Sequence, residues 1–493
     1  MIPEQISFFQ TAVAQMRTAS IVAPQPHDAD SLTDFLRKQG IRNASVSFSD
    51  LSATGFSDAG TAAIGELAKS FRPSLSAQSK AASNATLGKF IAGEIISHWK
   101  GRAAASLGSA DFDRLGKAIE DWFTAQNAVR RHIVPCTLFP YPLAGFTIGP
   151  VAFCPLQDFP CEEFGVPRAE FWPPAPPRWK QWLRNVWAAI CGRPVDAAKP
   201  GGFQLESLIE FAARREAPWV ALVDVSGRAP SESTQAADLA TDVALAALQI
   251  VSPGDDMRRL ARATGRAAPI WRVDVSQVAA GGLSVSSGNR MPALARSPDL
   301  IENHLAGLKP VFESFGRRIE GYVAAGSPLP ELNSAWCNGA YWYHEALAET
   351  LDTVAVAKLE TAIEVLFRAA SMSRSKQRLL DSFDAMFGLG PKDFVNGAKT
   401  VTVDQFVFAI TTARSRILHG TWPTLHNDLP SQPGRLTTSY RDVEQLTRTL
   451  LLTYSIQLDS YQSDGQTDDT TEAFIAWIKA ERLRAPAVGA KVP

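Results

Sequence analysis

The stretch ARSRILHG, Ala413 to Gly420, sets Arg414, Ser415, Arg416 and His419 within six positions. A guanidinium stays charged at any physiological pH and meets phosphate oxygens two at a time, while an imidazole exchanges protons near neutrality. Internal cleavage of RNA asks for little more: a base for the 2′-OH proton, an acid for the departing 5′-oxygen, and a cation for the charge on phosphorus. No metal is demanded, because the substrate carries its own nucleophile. One arginine and one histidine are half of such a site. Two copies related by a twofold axis would supply an acid, a base and two clamps.

Geometry restricts how the pair can act. On a continuous helix residues five apart diverge by about 140°, so Arg414 and His419 would not face one point. Gly420 favours the left-handed conformation that ends helices, and Pro423 makes continuation unfavourable. His419 is therefore expected at the C-terminal end of a helix, where carbonyl dipoles favour its protonated form and Arg414 and Arg416 oppose it. His426, in GTWPTLHNDLP, follows on the adjoining loop and is a further candidate for substrate contact.

Other chemistry-bearing patterns are weaker. The chain has no G-x-x-x-x-G-K-[ST], G-x-G-x-x-G, H-E-x-x-H or G-x-S-x-G. The string V-D-V-S occurs twice, around Asp224 and Asp274, and two strand carboxylates would hold a divalent cation only if their strands were neighbours. A third ligand is not evident, so the expectation is no metal and no cofactor. Trp179, Trp182 and Trp187 with Arg178, Lys180 and Arg184 read as an amphipathic helix with basic edges rather than a base-stacking platform.

The elements that must position the motif follow from pattern and composition. A chain of 493 residues exceeds one core, and 49 Lys and Arg against 50 Asp and Glu exclude a uniformly basic nucleic-acid coat. Five cysteines without a C-x-x-C pair suggest neither a disulfide framework nor a zinc knuckle, which fits a reducing cytoplasm. The N-terminus does not read as a secretory signal. Ile133 to Leu156 is uncharged but broken by five prolines, so it reads as short buried strands and not as a membrane span.

Residues 1–130 read as a helical region, with helical spacing at 58–72 and 112–125. Residues 131–330 read as a mixed α/β sensing or regulatory domain, with strands at 217–227 and 269–278 and a helix at 234–251. The chain then becomes helical over 301–324, 340–349, 354–370, 403–418 and 437–461. A helical bundle spans 338–462, and an extension with one short helix follows over 463–493. The fold class expected is thus multidomain α+β with an all-α C-terminal bundle.

The sequence Arg414-Ser415-Arg416-Ile417-Leu418-His419 matches the R-x4-6-H signature of HEPN ribonucleases, and its RSxxxHG form resembles the Apea-like HEPN group. The preceding AVAKLETAIEVLF looks like an earlier helix of that group. The resemblance covers about a quarter of the chain and implies a HEPN-like bundle working as a homodimer. It also implies a metal-independent endoribonuclease that leaves a 2′,3′-cyclic phosphate, in toxin or antiphage abortive-infection roles. Carried over, Arg414 and His419 are the catalytic pair and Ser415 orients the phosphate or Arg414. Arg416 is a candidate RNA guide. The N-terminal part is expected to take a phage-derived or small-molecule trigger. The rival reading is an inert HEPN-like dimerisation scaffold with a partner-binding N-terminal domain.

Overall fold

The computed structural model describes residues 2–21, 29–47, 52–71, 81–141, 143–168, 203–266, 271–277, 283–289, 297–324, 327–369, 371–395, 399–420 and 439–484. His426 and Trp179, Trp182 and Trp187 lie outside them. The protein is mixed α+β and its C-terminal region is helical. It forms two compact units, one comprising Met1–Arg130, Val225–Ala236 and Ala324–Gly326, the other Arg131–Asp224, Ala237–Val323 and Ser327–Pro493.

The first unit is not purely helical. Helices α1 (Pro3–Ala14), α2 (Ala29–Lys38), α3 (Asp58–Phe71), α4 (Asn84–Trp99) and α5 (Ser109–Ala125) accompany strands β1 (Met16–Ser20), β2 (Arg42–Ser47) and β3 (Ser52–Phe56). The strands form an antiparallel sheet in the order β1-β3-β2. RTAS and SATGF carry few aliphatic residues to alternate, so pattern alone misses them; burial of every β3 side chain makes them a sheet. Phe9, Leu67, Leu87, Ile91, Trp99, Leu115 and Ile119 form the core.

In the second unit, the proline-rich apolar run does become short strands: β4 (Arg130–Thr137), β5 (Phe146–Ile148) and β6 (Val151–Pro155). With β7 (Trp219–Val225) and β8 (Ala261–Arg262) they make a sheet in the order β5-β6-β7-β4-β8. Among the described residues no helix is long and apolar enough to cross a membrane. Between these strands lie α6 (Phe203–Arg214) and α7 (Pro230–Val251). Strands β9 (Trp271–Gln277) and β10 (Leu283–Asn289) pair only with each other, in a separate ribbon.

Helices α8 (Pro298–Gly307) and α9 (Lys309–Val323) divide the segment read as one helix. Pro310, without an N–H, suits the first turn of α9 and not the interior of a longer helix. Gly149, at φ 57°, turns β5 into β6 against Gly316 of α9, where a Cβ at position 149 would meet the Gly316 carbonyl oxygen at 2.5 Å. That contact seats the sheet on the helix.

The remaining helices are α10 (Pro330–Leu347), α11 (Asp352–Leu366), α12 (Met372–Ser382), α13 (Val403–Leu418), α14 (Tyr440–Ser463) and α15 (Thr471–Arg484). A π turn, Phe383–Phe387, extends α12. Helix α11 is central, packed on α10, α13 and α14, with Val356, Leu359, Ile363 and Leu366 buried. Fully buried Trp336 of α10 donates Nε1–H to the Leu451 carbonyl of α14 at 2.8 Å. The acidic joint after α14 has a structural use: Asp469 accepts the Glu331 and Leu332 N–H groups at 2.7 and 2.9 Å, capping α10.

Candidate active site on the α11–α13 face

Helix α13 is delimited at both ends by local chemistry. Thr402 Oγ1 accepts the Gln405 N–H at 3.3 Å and Gln405 Oε1 accepts the Thr402 N–H at 3.0 Å, a reciprocal capping box. At the far end the His419 N–H reaches the Ser415 carbonyl at 3.0 Å, and Gly420 takes φ 69°. The expected stop is therefore present: His419 caps the helix and Gly420 turns the chain in the left-handed region.

Between those ends Val403, Val407, Ile410 and Ile417 form a buried stripe against α11. Arg414 is four residues from Ile410 and three from Ile417, so it falls in that stripe and must find a counter-charge. It does: its Nη1 donates to Glu364 Oε2 of α11, with 32% of the arginine side chain and 12% of the glutamate exposed. His419, about 140° further round the helix, is exposed, and among the described residues its imidazole meets no partner. Within one chain the two motif residues do not converge. Ser415 and Arg416 are partly buried between them.

One turn earlier on α11 is Glu360, only 1% exposed, with Oε2 unpartnered among the described residues. Burial first, then the neighbouring Glu364, pushes its carboxyl up to about 9, while Arg414 pulls the other way. It is therefore neutral at pH 7. Burial also raises Glu364, and the nearby Arg414 does not fully offset that. Arg414 thus pairs with Glu364, and one helical turn away lies a second carboxyl, that of Glu360, which is protonated at pH 7. Neither glutamate was singled out from sequence, yet Glu360 lies inside the apolar stripe of Val356, Leu359 and Ile363, and a charge at such a position is a signal of pairing or function.

The twin V-D-V-S strings are not a site. Strand β7 lies between β6 and β4 in the five-stranded sheet, whereas β9 belongs to the separate ribbon, so the condition of neighbouring strands fails. Asp224 is instead bound by Arg131, Nε to Oδ1 at 2.7 Å and Nη2 to Oδ2 at 2.8 Å, which holds its carboxyl below the usual range. Among the described residues no group of three or more His, Cys, Asp or Glu is placed to hold a metal ion.

The class that fold and site define is a mixed α+β protein whose helical C-terminal region carries a half-buried Arg–Glu pair beside an exposed helix-capping histidine. Compared with protein-family models, curated proteins and solved structures, the chain matches none.

Proposed function

We propose that the C-terminal helices form a HEPN-type, metal-independent endoribonuclease that cuts RNA by attack of the 2′-OH. In this reading Arg414 stabilises charge on the phosphorus and His419 moves the proton. Ser415, Arg416 and His426 hold the strand, and a second copy of the chain supplies the other acid–base group. The protein acts in the cytoplasm as a toxin or antiphage abortive-infection effector, controlled by its N-terminal region.

The observation that carries the reading is the environment of Arg414. A guanidinium has five N–H donors in a fixed plane, and Glu364 engages Nη1 from the α11 side, which orients the remaining donors without exhausting them. An exposed imidazole at the helix end is free to meet a strand or a second protomer.

The same geometry favours one rival from another class. Arg414 already has a carboxylate and His419 points away from it, as in an inert bundle retained for dimerisation. The two readings part in one experiment. A labelled tRNA and mRNA pool is incubated in EDTA with the wild type, Arg414→Ala and His419→Ala, and product ends and oligomeric state are measured. A ribonuclease leaves cyclic phosphate ends, with cleavage falling by about 10²- to 10⁴-fold in His419→Ala. A dimer that leaves RNA intact, and whose expression is no more toxic than that of His419→Ala, is the scaffold.

A further inference from the structure

A second concavity lies at the other end of α11. Its walls are the loop after α7, the last turns of α10, the first turn of α11 and the first turns of α14, and it encloses about 700 Å3. That volume lies in the range of small-molecule sites, roughly 300–1,000 Å3. Three arginines line it: Arg258, Arg441 and Arg448.

These guanidiniums are placed differently from those of surface ion pairs. Arg258 donates Nε–H to the Leu347 carbonyl at 3.1 Å and Nη2–H to the Glu349 carbonyl at 2.8 Å, and lies 5.1 Å from the centre of the Tyr440 ring. Its bonded partners are neutral carbonyls, so its charge is fixed in place but not cancelled. Arg441 is exposed and has no partner among the described residues. Arg448 Nε is 3.3 Å from Glu444 Oε1 but off the line of its N–H, which leaves a buried donor unbonded.

The carboxylates of the cavity are only partly available. Glu444 also accepts the phenol of buried Tyr343 at 2.6 Å, while Asp255 is exposed and Asp352 stands in the first turn of α11. Buried Met257 and Leu347 supply apolar wall. The set suits a ligand with one strongly anionic group, a flat apolar body and hydroxyl or amino donors.

We propose that this cavity binds a nucleoside phosphate, its phosphate held by Arg258, Arg441 and Arg448 and its sugar hydroxyls or base amino group facing Asp255 and Asp352. Bounded by the ends of α7, α10, α11 and α14 and open on one side, the cavity has room for a free nucleotide but gives a continuous strand no groove to run along. The inference does not depend on the ribonuclease reading, since no residue of the Arg414 site lines the cavity.

The test is calorimetric titration of the full chain with AMP, ATP, inorganic phosphate and a 5′-phosphorylated RNA oligonucleotide, repeated on Arg441→Glu, Arg258→Gln and His419→Ala. One nucleotide is expected to bind per chain. Arg441→Glu, which breaks no side-chain contact among the described residues, should weaken it by at least about tenfold, and His419→Ala should leave it unchanged. Arg258→Gln is read only if its circular dichroism matches the wild type. Absence of binding at millimolar AMP and ATP overturns the proposal. So does binding that Arg441→Glu leaves intact, or binding restricted to a 5′-phosphorylated RNA oligonucleotide.

Discussion

Arg262 and Arg414 each reach a carboxylate on a helix of the second unit, but their surroundings differ. Arg262 Nε and Nη2 grip Asp242 of α7 at 2.8 and 2.9 Å, while Nη1 meets Thr264 Oγ1 at 3.0 Å and Asp238 at 3.1 Å. Asp242 is also 3.9 Å from Nε2 of buried His344, whose Nδ1 faces Gln249 Oε1 at 2.9 Å. Burial works against the charge on Arg262, and its pairing outweighs that cost. At the other site burial raises Glu364 in spite of Arg414, as it raises Asp238 in spite of Arg262, but a second carboxyl is added there: Glu360, almost fully buried, with Oε2 unpartnered among the described residues. The first cluster is closed on itself and structural. The second keeps unused hydrogen-bonding capacity and, in Glu360, a carboxyl held neutral at pH 7, which is the condition expected where chemistry is done.

The comparison breaks most visibly at Asp242, whose side chain is 4% exposed. Asp242→Ala leaves Arg262, itself 14% exposed, with Asp238, 38% exposed, as its one paired carboxylate among the described residues. A loss of about 3–5 kcal/mol is expected, toward the lower end because Asp238 remains. Denaturant unfolding measures it, and a loss under about 1 kcal/mol would mean that the closed network is not holding α7 to its neighbours.

Glu360 gives the next largest effect, through pH. Its folded value of about 9 lies above the ordinary 4.5, so its favourable contribution is complete below pH 4.5 and is lost as pH rises towards 9. Glu360→Gln cannot ionise. The variant should show a flatter stability profile across that window and exceed the wild type by ~4 kcal/mol near pH 8, relative to their difference at pH 4.5. Parallel profiles would show that Glu360 ionises in the folded protein as it does in the unfolded chain.

What could be read in advance follows from how local each cause is. Helix α13 matched its expected limits, Val403–Leu418, because the Thr402/Gln405 box and Gly420 are encoded in contiguous residues. Strand β7 was legible as an apolar run, broken only by Asp224, that follows Pro218 and ends short of Gly227. Helix α10 starts at Pro330, ten residues before its expected start, since its first turns hold Asn333, Ser334 and Gly339, poor helix formers in isolation. Tertiary contact explains the glycine: a Cβ at 339 would come within 3.2 Å of the Ala362 carbonyl of α11. The Arg414–Glu364 pair joins residues 50 apart in sequence, and no periodicity says which face of α11 meets which face of α13.

That pair supplies the subtlest test. Arg414 is one-third exposed, so its ion pair with Glu364 is screened, and Glu364→Gln should change stability by less than about 1 kcal/mol. If the ribonuclease reading holds, the same substitution acts on catalysis, because a carboxamide cannot hold the guanidinium as a carboxylate does. Cleavage is expected to fall by roughly tenfold, the usual penalty for losing a group that orients a functional side chain, with KM little changed. A rise in cleavage would instead make Glu364 a restraint that must release Arg414 before RNA is engaged. A stability loss as large as that of Asp242→Ala, with cleavage unaltered, would put Arg414–Glu364 in the same structural class as Arg262–Asp242 and remove the contrast between the two clusters.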